Sequence, residues 1–243
     1  MPNSEDGGSR VEQEYYEFRV YRAGDADKKV MLDGYLERAL IPALGRMGID
    51  RIGVFTDTEQ QDDSSISLLI PYSTFELFTS VNPGLSADRD YLDAAESYFA
   101  APLKDPVFSR IQSKFYKAFE GMPVIEMPAR TAKNEPRIFE LRIYESHTEK
   151  TAALKVDMFN SGEMQIMRET GLAPVFYGEA LIGDDVPNLV YMLSAPDRET
   201  HKAHWAEFGG HPEWKRMKEM PRYLDTVSDI TSVFLDPTPY SQI

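Results

Sequence analysis

The sequence predicts an α+β protein: two tandem ferredoxin-like β-α-β-β-α-β domains whose antiparallel sheets pack face to face as an α+β barrel within one chain. Three observations predict it. First, the strand-like hexamer Tyr16-Glu17-Phe18-Arg19-Val20-Tyr21 returns past the midpoint as Phe139-Glu140-Leu141-Arg142-Ile143-Tyr144. Second, each hexamer opens a matching series. A charged amphipathic helix ends on Gly48-Ile49 or Gly171-Leu172, and two strand-like runs follow. A helix is then entered through Asp105-Pro106-Val107-Phe108 or His211-Pro212-Glu213-Trp214, and a closing strand ends the series. A period this long marks a duplicated domain rather than a solenoid unit. Third, this order places helices on one face of each sheet, so the bare face needs a cover, which the second copy supplies.

The elements follow in order. Residues 1–14 read as a polar, disordered tail without the apolar core of a secretory signal. Residues 15–22 alternate with period two, as a strand does. Met31 to Met47 carries the apolar stripe Leu32, Leu36, Leu40 and Leu44 of a helix, with Pro42 as a kink and Gly48 as its C-terminal cap. Ile52–Thr56 and Ser65–Pro71 read as strands around the acidic turn Glu59–Asp63, and short helices are expected over 73–79 and 88–101. Asp105 and Pro106 signal the start of a helix over 105–119, with Val124–Met127 as a short last strand. The first domain thus spans 15–128, a polar, proline-bounded linker 129–136, and the second domain 137–243. The second copy reads as strand 137–144, helix 148–170, strands 174–182 and 188–194, helices 197–208 and 212–220, strand 229–235, and a tail able to wrap a neighbouring surface.

Composition bounds the function. At 243 residues, 42% hydrophobic and 12% aromatic, the chain is long enough and apolar enough for two packed domains. A net charge of -14 argues against nucleic acid and against an anionic membrane surface. Zero cysteines exclude disulfides, thiolate metal sites and cysteine nucleophiles, and leave the compartment open. No apolar run is long enough to span a bilayer. Neither a glycine-rich phosphate loop nor a nucleophile elbow is present, and Asp184-Asp185 is too short a turn for a calcium loop.

The strand Glu140-Leu141-Arg142-Ile143-Tyr144, the turn Gly171-Leu172-Ala173-Pro174-Val175 and the stretch from Trp205 through Phe208 to His211-Pro212-Glu213-Trp214 resemble the NIPSNAP family. The resemblance is strongest over 136–240, weaker over 15–128, and closest to bacterial tandem members with two such domains in one chain. It implies the dimeric α+β barrel superfamily, which holds monooxygenases, isomerases, haem enzymes and proteins without known activity. It therefore implies a fold far more than a reaction.

Three sets of residues are candidates for chemistry. If Leu141 and Ile143 lie under the helices, Glu140, Arg142 and Tyr144 point into the barrel, and Glu17, Arg19 and Tyr21 do so from the other sheet. These are then either two structural Glu–Arg pairs or the lining of a polar, barrel-centred ligand cavity, with arginines for an anion. Second, His201 and His204 share a helix face with Glu207, a weak pattern for a metal, with His211 at a capping position. A solvated helix face is the plainer reading, so no metal and no cofactor are expected. Third, Glu163 takes the place of Leu40 on the apolar stripe, either buried as a general base or at the stripe's edge against an arginine such as Arg168. Trp205, Phe208 and Trp214 read as packing. The function expected is binding of a small molecule or an interaction; the alternative is a cofactor-independent, monooxygenase- or isomerase-like enzyme using the inter-sheet cavity. A small-molecule ligand and self-association into a homo-oligomer stay open as partners.

Overall fold

The computed structural model describes residues 12–57 and 64–243, so residues 1–11 of the expected tail and the turn Glu59–Asp63 lie outside the described residues. In chain order the first copy holds β1 (Tyr15–Ala23), α1 (Ala26–Tyr35), a π-helical turn (Leu36–Leu40), α2 (Ile41–Arg46), β2 (Gly53–Asp57), β3 (Ser65–Tyr72), α3 (Phe75–Ala87), α4 (Arg89–Ala94), α5 (Glu96–Phe99) and β4 (Phe108–Ala118). The short α6 (Ala129–Ala132) lies in the expected linker. The second copy holds β5 (Ile138–Glu145), α7 (Glu149–Met158), a π-helical turn (Phe159–Glu163), α8 (Met164–Glu169), β6 (Ala173–Ile182), β7 (Asn188–Ala195), α9 (Arg198–Gly210), α10 (Pro212–Lys218) and β8 (Asp229–Pro237).

All eight strands close into one antiparallel barrel in the order β1-β3-β2-β8-β5-β7-β6-β4. Each copy contributes a four-stranded ferredoxin-like sheet. The two are joined not only by facing each other but by hydrogen-bonded seams, β2 to β8 (Phe55 opposite Pro237) and β4 to β6 (Ala118 opposite Gly178). Closure leaves no free sheet edge.

The repeat is unusually regular. From β1 through α3, residue n of the first copy matches residue n + 123 of the second (149 − 26 = 123), and the π-helical turns match end for end. In the first copy the π turn comes just before Pro42, whose missing N–H would break an ordinary helical ladder there. In the second copy there is no proline at the matching Gln165, and Gly162 at φ 149° makes the turn instead.

Two expectations are corrected. The segment 105–119 is strand β4, not helix, and Val124–Met127 joins no sheet. Asp105 caps nothing; its carboxylate takes Lys28 Nζ at 2.6 Å. The counterpart of His211 is Asp88, which caps α4 by accepting from the Tyr91 N–H, and α3 is the counterpart of α9. Local signals favoured a helix at Asp-Pro, but pairing along nearly the whole of β1 overrides them.

The second correction concerns which face of β1 and β5 looks inward. Tyr16, Phe18, Phe139 and Leu141 fill the barrel with Phe55, Phe176, Met192, Leu235 and Ile243. Tyr21 packs instead under α1, and Tyr144 under α7 and the second π turn. Thus Glu17, Arg19, Tyr21, Glu140, Arg142 and Tyr144 lie between sheet and helices, and the barrel centre is apolar. A closed eight-stranded barrel is filled by side chains and gives a charge no route to water. The sheet–helix layer does: Arg19 and Arg142 are each about a fifth exposed (20% and 19%).

Two smaller expectations change as well. Glu14, expected in the tail, is buried, accepting from Ile125 N and pairing with Arg51. The C-terminal tail does not leave for a neighbour. It runs along β2, with Thr238 N bonded to Val54 O and Gln242 N to Ile52 O, and puts Ile243 into the barrel floor.

Candidate functional site between sheet and helices of the second copy

Both copies carry the same strand-borne trio. In the first, Arg19 lays Nε and Nη2 on the two oxygens of Glu17 (2.8 and 2.9 Å) and donates from Nη1 to Tyr21 Oη (3.2 Å). Ser113 and Tyr72 hydroxyls also donate to Glu17. Burial opposes ionisation of Glu17, but the Arg19 charge and these bonds hold its pKa below the ordinary carboxylate value.

In the second copy Glu140 accepts from four donors: Arg142 Nη1 (2.6 Å), Ser232 Oγ (2.6 Å), His201 Nε2 (2.6 Å) and Trp205 Nε1 (2.8 Å). That uses all the lone-pair sites of a carboxylate. Burial works against its charge, yet bonds from His201 and Ser232 and the Arg142 charge bring its pKa down to about 2. With Glu140 ionised, this contact requires a proton on His201 Nε2; among the described residues its buried Nδ1 has no hydrogen-bond partner, nor has Arg142 Nε. Arg142 makes one bond to its glutamate where Arg19 makes two, and Trp205 covers its guanidinium at 4.7 Å.

Beside this trio lies a second ion pair. Lys155 Nζ sits 2.7 Å from Glu163 Oε2, the side chains 5% and 2% exposed. Rings of Phe159, Tyr144 and Trp214 surround the ammonium at 4.7, 5.5 and 5.6 Å. Burial raises the Glu163 pKa, and Lys155 only partly offsets this. Tyr144 and Tyr191 share a hydroxyl–hydroxyl bond of 2.8 Å, and burial raises both phenols.

The offset of 123 turns the first copy into a control for the second. Leu32, Leu40, Val54, Leu68, Phe78 and Asn82 occupy the positions of Lys155, Glu163, Tyr177, Tyr191, His201 and Trp205. One backbone plan therefore holds an apolar layer in one copy and an ionisable, aromatic layer in the other.

The structure brings Glu140, Arg142, Tyr144, Glu163 and His201 together, and leaves Glu17, Arg19 and Tyr21 on the far side of the barrel. His201 is not on a solvated face but buried against Glu140; His204 turns away toward Gly171. Among the described residues no group of three or more His, Asp or Glu converges on a metal position. Glu163 is not at the stripe's edge, and Arg168 pairs with Glu126 instead. Lys155, Tyr191, Trp205 and Ser232 were missed. Position-by-position comparison of the copies would have exposed Lys155 and Tyr191, since each replaces a leucine.

An inter-sheet cavity exists too, about 340 Å³ at one barrel end, lined by the opposite strand faces from those expected, with Phe18, Val20, Leu141 and Ile143 among them.

Residues 139–242 match the NIPSNAP family model. The second half of the chain is a NIPSNAP domain. No curated protein matches the chain. Among solved structures, a proposed monooxygenase from Lactobacillus acidophilus NCFM superposes with a TM-score of 0.59 at 9% identity, covering 93% of this chain and 94% of that one. A proposed monooxygenase from Fusobacterium nucleatum subsp. nucleatum gives 0.57 at 9% identity, with 93% of each chain covered. An anthrone oxidase-like protein gives 0.54 at 8% identity, over 93% and 92%. At these identities the likeness is one of fold: the α+β barrel recurs over nearly the full length of all four chains. The polar layer lies within the NIPSNAP half, and no described helix is long and apolar enough to cross a membrane.

Proposed function

We propose that the chain is a small-molecule-binding protein whose ligand site is the polar layer of the NIPSNAP half, the first copy serving to complete the barrel. One observation carries this reading: Lys155 and Glu163 stand where Leu32 and Leu40 build the same fold without charge. A dry ion pair adds little or nothing to stability over well-packed leucines, so structure alone gives no reason for it. A planar ligand bearing a phenol or enol fits the surroundings. Trp205 and Trp214 offer aromatic faces, Arg142 and Lys155 offer positive charge for the ionised form, and Tyr144 and Tyr191 offer hydroxyls.

The chain supplies its own reporter. Its two tryptophans, Trp205 and Trp214, both border this layer. Titration with hydroxylated polycyclic aromatics should quench or shift their emission, and the Lys155→Leu/Glu163→Leu variant should lose the response while staying folded. A response equal in that variant would sink the reading.

A second reading, a cofactor-independent enzyme, draws support from Glu163. A buried carboxylate with a raised pKa beside a lysine suits a general base that takes an acidic C–H or O–H proton, the anion then being held by Arg142 and Lys155. The monooxygenase and anthrone oxidase-like neighbours lend analogy of fold only. Under this reading Glu163→Gln keeps the fluorescence response and loses turnover, followed as substrate consumption or oxygen uptake.

A further inference from the structure

Among the described residues Lys155 is the only buried lysine. Its Nζ donates to Glu163 Oε2 at 2.7 Å and to Met158 Sδ at 3.5 Å. The rings of Phe159, Tyr144 and Trp214 form the rest of its surroundings. In the first copy Leu32 and Leu36 hold the places of Lys155 and Phe159. Of the three rings only Trp214, on the short α10, is half-buried, so it is the ring that separates the ammonium from solvent.

A primary amine held out of water beside a carboxyl group can do more than attract an anion. It can condense with a carbonyl, the carboxyl group carrying the protons. The pair holds one mobile proton. Passed from Nζ to Oε2, it leaves a neutral amine beside a carboxylic acid, and burial already favours the protonated form of Glu163. The Nζ lone pair then attacks the carbonyl carbon, and Glu163 protonates the carbonyl oxygen to give a carbinolamine. Glu163 takes back a proton from Nζ and donates it to the new hydroxyl. The C–O bond breaks, water leaves, and a protonated imine faces the Glu163 carboxylate. Amine and carbonyl have become imine and water with no change of oxidation state. The ion pair is restored, with iminium in place of ammonium.

Resting on the reading of the polar layer as a ligand site, we propose that Lys155 is its covalent anchor: a planar aromatic aldehyde or ketone enters the layer and condenses with Nζ, with Glu163 as the proton carrier. Arg142 Cζ lies 5.5 Å from the Tyr144 ring centroid, as Lys155 Nζ does, so the two cations flank one ring. A hydroxyl on the ligand gives Arg142 an oxygen to hold while the carbonyl meets Lys155.

The test is reductive trapping. The full chain is mixed with an equimolar amount of 2-hydroxy-1-naphthaldehyde, reduced with borohydride to fix any imine as a secondary amine, digested and mapped by mass spectrometry. The adduct should sit on Lys155 at about tenfold or more the occupancy of any other lysine, because a ligand held in the layer presents its carbonyl there. Glu163→Gln keeps the size of the side chain and an acceptor for Nζ but has no proton to give the carbonyl oxygen. It should slow labelling of Lys155 at least about tenfold and leave labelling of exposed lysines such as Lys150 and Lys202 unmoved. In parallel 2-naphthol, which has no carbonyl, is titrated by tryptophan emission. Quenching by 2-naphthol with no enrichment of label at Lys155 overturns the covalent anchor and leaves the binding reading standing; absence of both overturns both. Labelling of Lys155 at the same rate with and without Glu163→Gln also overturns the proposal.

Discussion

At the scale of single residues, the second copy holds two carboxylates in opposite electrostatic situations. Glu140 is ionised and saturated by four donors; Glu163 is buried with one cation and resists ionisation. For Glu140 the sign is that of a depressed acid. Its stabilising contribution is present above its unfolded pKa near 4.5 and is lost as pH falls through about 2. A shift of this size corresponds to something on the order of 3 kcal/mol. Glu140→Gln should therefore flatten the acid limb of a stability-versus-pH curve between those values; an unchanged limb would refute the assignment. Glu163 runs the other way: its raised pKa means it destabilises the fold where it is ionised and relaxes on protonation. Glu163→Leu alone leaves Lys155 buried without a partner and should cost about 3–5 kcal/mol in denaturant unfolding. Changing both to leucine copies the first half and should cost far less, or raise Tm. Equal losses in single and double variants would show that the pair is structural after all. The strand trio Glu140, Arg142 and Tyr144 was legible because it repeats. Lys155 was not, because a lysine on an amphipathic helix reads as solvated until its neighbours are known.

At the scale of elements, the second π turn is what puts Glu163 into the layer. Its Gly162 sits at φ 149°, a conformation closed to side chains, and an added Cβ would meet Met217 Cε at 2.9 Å. The matching Ala39 makes its π turn without such an angle, Pro42 following it. Gly162→Ala should then cost about 1–3 kcal/mol and disturb Glu163 beside it, whereas Ala39→Gly should cost about 1 kcal/mol or less. Both follow from chemical unfolding of the two variants, and comparable losses would show that the angle is not what matters. The second copy's elements were legible nearly end to end, because each begins and ends on strong local signals such as the Thr148 cap and Gly171. The first copy's closing strand was not. Phe108–Ala118 has Asp-Pro before it and five exposed residues, Ser109–Ser113, so neither periodicity nor burial marks it as sheet. Its identity comes from β1 and β6, which pair with it from far along the chain.

At the scale of the whole molecule, duplication foretold two facing sheets, and the structure adds that the two are one sheet. What the sequence could not reveal was which strand face turned inward, because both faces of β1 and β5 are buried and period two is satisfied either way. The choice falls to the closed interior, where the hexamer's Tyr16, Phe18, Phe139 and Leu141 find apolar neighbours from both copies. This dictates how the halves behave when cut apart. A protease site placed in the 129–136 stretch severs the only covalent link between the copies but touches neither seam, since β2–β8 and β4–β6 pair elsewhere. The cleaved halves should elute together from a sizing column and unfold in one transition, because the barrel core belongs to both. The second copy expressed alone, from residue 137 onward, would expose Phe139, Leu141, Phe176 and Met192 and two open strand edges, β6 and β8. It should then aggregate or pair with itself, closing a barrel from two identical halves with two polar layers. A soluble monomer of that half with native far-UV and near-UV circular dichroism would show that the NIPSNAP domain is self-sufficient, and that the first copy is more than the cover for its inner face.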